Sequence, residues 1–158
     1  MNLHLLIAMF ISILPVFELR GGIPYAQAQH VPAGLAFLCC TAVNIVIIPF
    51  ILLFLDYVNK HLLRIGIYKR LFDKLVARAR RKAHDKVEKY GYLGLCMFVA
   101  VPLPGTGAYT GSLVAWFFNM ERKRASLAIA AGVLLAGVAV TLICFLGLTS
   151  LEFFIKRV

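Results

Sequence analysis

The chain has 158 residues, the length of one ordinary domain, but 61% of them are hydrophobic and only 15% are charged. Soluble domains run near 45–50% and about 25%. Four windows, residues 1–17, 21–55, 90–120 and 125–151, contain no Asp, Glu, Lys or Arg. Too little polar sequence remains to coat a globule in water, so the composition predicts an all-α integral membrane protein. It excludes a soluble enzyme, a nucleic-acid-binding domain and a disordered tail. The net charge of +10 points the same way, because eleven of the seventeen basic residues lie between Lys60 and Lys89. A basic block directly after an apolar span reads as a cytoplasmic segment beside anionic inner-leaflet lipid, at about 1 kcal/mol per base. No nucleic-acid partner is expected.

In chain order, residues 3–17 are apolar and are followed by Glu18-Leu19-Arg20-Gly21-Gly22-Ile23-Pro24 and a short apolar run to Val31. Ala26-Gln27-Ala28 has the small residues of a signal cleavage site, but the start lacks a basic region and Glu18 and Arg20 interrupt the stretch, so no signal peptide is expected. Residues 33–56 are long enough to cross the bilayer. Residues 58–90 form a basic amphipathic helix: Phe72, Val76, Ala79, Ala83, Val87 and Tyr90 recur at helical spacing among Lys74, Arg78, Arg81, Lys82, Lys86 and Lys89. Residues 91–101 are apolar again, then come Pro102-Leu103-Pro104-Gly105-Thr106-Gly107 and an apolar run to Phe118. Residues 125–150 make the second clean span, with Ala128, Gly132 and Ala136 on a face suited to close packing.

The two broken windows each hold two halves too short to cross, which suits re-entrant hairpins. Four full crossings would put Glu121-Arg122-Lys123-Arg124 opposite the 58–90 block, against the positive-inside rule. Two hairpins place both basic segments, 58–90 and 119–124, in the cytoplasm. The expected architecture is therefore a single multi-pass domain, residues 1–158, in the cell membrane. Residues 1–57 form a first repeat with its tip near 18–24, and residues 91–158 form a second, inverted repeat with its tip near 102–107. Residues 58–90 link them. Paired Gly/Pro-interrupted segments in corresponding positions are the best sequence pointer to a midplane binding site. Gly21-Gly22-Ile23-Pro24-Tyr25 and Gly105-Thr106-Gly107-Ala108-Tyr109 are the faint primary match.

Glu18 and Arg20 are the candidate proton and substrate residues, since ionisable groups within a membrane are costly and mark pathways. Burial penalises a carboxylate while a neighbouring guanidinium favours it, the balance a proton carrier needs. Arg20 carries a planar fork suited to phosphate or carboxylate. Gly21, Gly22, Pro24, Pro102, Pro104, Gly105, Thr106 and Gly107 are expected to shape the two tips and offer free amides to an anion. Asn44, Tyr109 and Thr110 are candidates for a polar path. Local packing is the plainer use for Asn44, Tyr109 and Trp116, and an ion pair locking the hairpin is the plainer use for Glu18 and Arg20. Cys39, Cys40, Cys96 and Cys144 lie in apolar windows, and neither they nor the scattered histidines have metal-binding spacing. No cofactor, metal or catalytic residue is expected.

The Glu18–Pro24 motif, followed by Pro102-Leu103-Pro104-Gly105-Thr106-Gly107-Ala108-Tyr109-Thr110-Gly111, resembles the small multidrug export protein family across nearly the whole chain. That family is distantly similar to the DedA/VTT superfamily. The resemblance implies re-entrant hairpins meeting in the membrane, movement of lipid carriers such as polyprenyl phosphate, and dependence on proton-motive force. Glu18 and Arg20 match the acid and arginine of the first DedA motif. A further arginine of that motif has no counterpart at Tyr25–Gln29, and the second tip has none. The leading expectation is a small proton-coupled secondary transporter of an anionic amphipathic or lipid-phosphate substrate. A multidrug exporter of lipophilic compounds and a non-transporting membrane scaffold are the alternatives. With so little enclosed volume, a homodimer is compatible with each.

Overall fold

The computed structural model describes residues 3–58, 66–103 and 105–155. Among them all regular structure is helical: α1 (Leu3–Ile13), α2 (Glu18–Ala28), α3 (Ala33–Leu53) ending in a π-helical turn (Phe54–Val58), α4 (Gly66–Ala100), α5 (Ala108–Phe117) and α6 (Arg122–Ile155). Two helical stretches, Ala33–Tyr57 and Arg122–Gly147, are long and apolar enough to cross a membrane. They carry large apolar side chains outward, including Phe50 at 64% exposed and Leu127 at 72%. A soluble domain rarely leaves such a contiguous apolar surface, whereas lipid accepts it.

The first break lies earlier than the glycines suggest. Pro15 cannot donate to the ladder and disfavours helical backbone at the residue before it, so α1 stops at Ile13. Leu14 to Glu18 then close a tight reversal, with Glu18 N–H donating to Leu14 O at 2.9 Å. Glu18 itself takes the left-handed backbone, φ 49°, a conformation that costs a non-glycine residue and clusters at functional sites. The expected tip at 18–24 is thereby corrected: Gly21, Gly22 and Pro24 lie inside α2. They serve helix contact instead. A Cβ on Gly22 would stand 2.5 Å from Ala8 O and 3.2 Å from Cys40 Sγ, so its absence lets α1, α2 and α3 close on one another.

The second break follows α4, which Gly91 (φ 54°, ψ −123°) divides into a basic stretch and an apolar one. Residues 101–107 are irregular around Pro102 and Gly105 (φ 78°); Pro104 lies outside the described residues. α5 then packs beneath α3 and α6.

α2 and α5 end in the same way. Val31 N–H reaches back to Ala26 O at 3.0 Å and His30 to Gln27 O at 3.0 Å; Met120 reaches Ala115 O at 2.9 Å and Asn119 reaches Trp116 O at 3.1 Å. His30 (φ 58°) and Asn119 (φ 50°) are the left-handed caps. The next helix opens with Ala36 N–H on Pro32 O and Ala125 N–H on Glu121 O, at 3.0 and 2.8 Å. All three bonds recur at one constant offset along the chain. That offset matches Gly22 to Gly111, whose Cβ would stand 2.6 Å from Val99 and 3.4 Å from Ile129. The structure thus differs from the match of Gly21–Tyr25 with Gly105–Tyr109 suggested by the residues alone.

α3 and α6 run antiparallel. Asp56 at the end of α3 pairs with Arg122 at the start of α6, 2.7 Å apart, while farther along both helices a Cβ at Gly137 would lie 2.8 Å from Thr41 Oγ1. Phe72, Ala79, Ala83 and Val87 of α4 are buried; Tyr90 is half exposed. Phe72 packs edge-on against Trp116 at 5.8 Å, and His84 against Phe118 at 6.2 Å. Lys74, Arg78, Arg81 and Lys89 are exposed.

Candidate functional site

The two breaks meet. Asn44, near the middle of α3 and fully buried, donates from Nδ2 to Ser12 O at 3.1 Å and to Cys40 O at 3.0 Å. It ties the end of α1 to the centre of the first long helix. Gly132 gives the second break a similar seat, because a Cβ there would stand 2.7 Å from Cys96 O and from Val99. Both breaks therefore lie partway along the long helices.

Glu18 crosses to the second break. Its carboxylate is buried and accepts the backbone N–H of Tyr109 at 3.2 Å, with Ala108 N–H also directed at it. These are the first amides of α5, which lack helical partners and carry the positive end of the helix dipole. Gly107 allows the approach: a Cβ there would collide with the carboxylate, lying 2.7 Å from Glu18 Cδ. Arg20 crosses beside it. Nη1 donates to Leu103 O at 2.6 Å, and Nη2 donates to Thr106 Oγ1 at 2.9 Å and to Val101 O at 3.2 Å. Thr106 Oγ1 also lies 2.6 Å from Val101 O and 2.9 Å from Leu103 O. Tyr109 returns the contact by donating its hydroxyl to Ile13 O.

The arrangement is a reciprocal latch. One turn of α2 supplies an acid for the amides of α5 and a guanidinium for the carbonyls of Val101 and Leu103 and the hydroxyl of Thr106. Among the described residues no ion pair joins Glu18 to Arg20, so a simple locking pair is not what this structure contains. Nor are the α5 amides open to an anion, since Glu18 fills them. Of the remaining candidates, Thr106 acts through its hydroxyl, Asn44 serves as a tie, Gly105 and Thr110 face the cleft described next, and Gly21, Gly22 and Pro24 stand apart in α2. The carbonyls of Ile13, Val101 and Leu103 escaped the sequence reading, because backbone acceptors carry no residue signature.

Beside the latch lies a cleft of about 610 Å³ between α3, α4 and α5, within the range of small-molecule sites. Pro15, Gly105, Tyr109 and Thr110 close its end at the latch, and Arg78 lies among its walls.

A family model described as "Putative small multi-drug export protein" matches residues 18–139. The chain belongs to this family. The match begins at Glu18, where the first reversal ends, and takes in α2, α3, the basic helix, the second break and about half of α6. No curated protein and no solved structure matches the chain. Membership in a family described by export agrees with the two helices of membrane-crossing length.

Proposed function

We propose that this member of the small multidrug export family is a proton-coupled carrier of anionic amphipathic molecules, and that the latch between its two breaks is the gate. The observation that carries the reading is the seating of Glu18 on the α5 amides beside an apolar cleft. In this reading the matched elements are inverted repeats, each a re-entrant hairpin and a span, lying with 58–90 and 119–124 in the cytoplasm of a cell membrane. A carboxylate at a helix N-terminus is held by charge as well as hydrogen bonds, an attraction of about 0.3–2 kcal/mol. Protonation removes that charge and frees the α5 amides. The tips then separate, and the carrier exposes its cleft to the other side. Lipid phosphates fit the substrate class, since they join an apolar tail to one anionic head.

A second reading, a non-transporting scaffold, draws on the same bonds: Arg20 ties α2 to Leu103 O, Val101 O and Thr106 Oγ1. Glu18→Gln separates the two. The amide keeps an acceptor for Tyr109 N–H but cannot carry the charge. In proteoliposomes with an imposed pH gradient, polyprenyl-phosphate flux should fall at least about tenfold, the ratio that corresponds to 1.4 kcal/mol, while the protein stays folded. Unchanged flux in that variant would remove Glu18 from the mechanism. No flux above empty liposomes for the wild type would favour the scaffold.

A further inference from the structure

We infer that the cleft beside the latch is the substrate-binding site, that it takes one single-tailed anionic amphiphile from the membrane, and that Arg78 holds the head group. The inference rests on the carrier reading above and moves head-group recognition away from Arg20. Both terminal nitrogens of that residue already donate, to Leu103 O, Val101 O and Thr106 Oγ1, which leaves its buried Nε without a partner among the described residues but no fork for a phosphate.

The cleft has the opposite character. Ile47, Phe50, Ile51 and Phe54 form its α3 wall, and Leu113 of α5 faces them. From Ile47 to Leu55 the wall extends on the order of 12 Å along the helix, at 1.5 Å per residue. That suits an extended hydrocarbon tail. Its mouth is open to lipid, since Phe50 is 64% and Leu75 is 55% exposed. Among the described residues Arg78 is the one charged residue lining it, and no carboxylate does. Among the described residues Arg78 has no acidic partner. Lys74 lies one turn away on the same helix and is exposed, so the potential at this end is positive. An anionic head is therefore matched and a cationic one opposed, which is selection by charge within an otherwise apolar site. The tail lies toward the latch, against Pro15, Tyr109 and Gly105. Filling the cleft thus places the substrate directly on the gate.

The chain has a single tryptophan, and it reports on this site. Trp116 packs at 5.8 Å on Phe72, which lines the cleft. Purified protein in detergent is titrated with a terminally brominated alkyl phosphate and with its trimethylammonium counterpart, following Trp116 quenching with no pH gradient. The phosphate probe should quench saturably and bind at least about tenfold more tightly than the ammonium probe. Arg78→Glu, a change at an exposed position, should reverse that preference, and Ile51→Phe should weaken both probes by narrowing the cleft. Glu18→Gln, which frees the latch but leaves Arg78 in place, should bind the phosphate probe at least as tightly as the wild type and keep the preference over ammonium, so a failure of transport and a failure of binding are read separately. Unsaturable quenching, equal affinity for the two head groups, or no response to Arg78→Glu would overturn the assignment. Loss of binding in Glu18→Gln would move the site to the tips and overturn it as well.

Discussion

Replacing Gly107 with alanine abolishes flux as completely as neutralising Glu18, although it removes no functional group. A Cβ at this position collides with the Glu18 carboxylate. The atoms in the way are the far end of a flexible side chain, so the carboxylate leaves, and the backbone at φ 158°, ψ −161° is in addition strained by any side chain. Its departure strands the first amides of α5 and a buried acid without their partners. Leaving buried polar groups unsatisfied costs about 1–3 kcal/mol. The signature of this mechanism is non-additivity. Added to Glu18→Ala, the same Gly107→Ala change should cost clearly less, because the collision partner is gone and only the strain of the backbone remains. Chemical unfolding of the four proteins of that cycle measures it. Equal costs in both backgrounds would mean that Gly107 matters for turn geometry and not as the seat of the carboxylate.

Arg20→Lys should lose nearly as much stability as Arg20→Ala, about 2–4 kcal/mol, since hydrogen bonds from a charged donor contribute roughly 1.5–3 kcal/mol each and do not add fully. The guanidinium spans three acceptors with two nitrogens, at 2.6, 2.9 and 3.2 Å. A lysine is a point charge on a flexible stem and cannot reproduce the fork. Thr106→Val should cost less, because Arg20 still reaches the carbonyls of Leu103 and Val101. Thermal unfolding in detergent ranks the three variants. If lysine restores wild-type stability, charge alone holds the second break and the geometric account of the latch fails.

Much of this was legible in the residues, and for identifiable reasons. The charge-free windows and the single basic block specify helices in lipid. The amphipathic spacing of Phe72, Ala79, Ala83 and Val87 marks the face of α4 that packs inward. Glu18, Arg20 and Thr106 stand out because polar groups are scarce in such a chain, and these three meet. The position of the first turn was not legible. Gly21-Gly22 and Pro24 advertise a break more loudly than Leu14-Pro15, yet glycine serves equally to let helices touch, and only the neighbours Ala8 and Cys40 decide which use applies. The cleft was hidden for a different reason. Ile47, Ile51 and Phe54 lie at helical spacing, but α3 is apolar all round, so periodicity cannot separate a wall of a site from a face toward lipid. Arg78 likewise looked like one base among eleven until the fold turned it toward that wall.

In the carrier proposed here the latch opens. Val16 and Leu103, 84% and 56% exposed, belong to the two breaks and accept spin labels without entering the latch bonds through their side chains. In lipid bilayers, the distance distribution between labels at these positions should contain a closed and an open population. Alkyl phosphate together with acidification should shift the distribution toward the open one, and Glu18→Gln should produce that shift without acid. A single distance, the same with and without substrate, at both pH values and in the variant, would show two tips permanently joined and would contradict the gate.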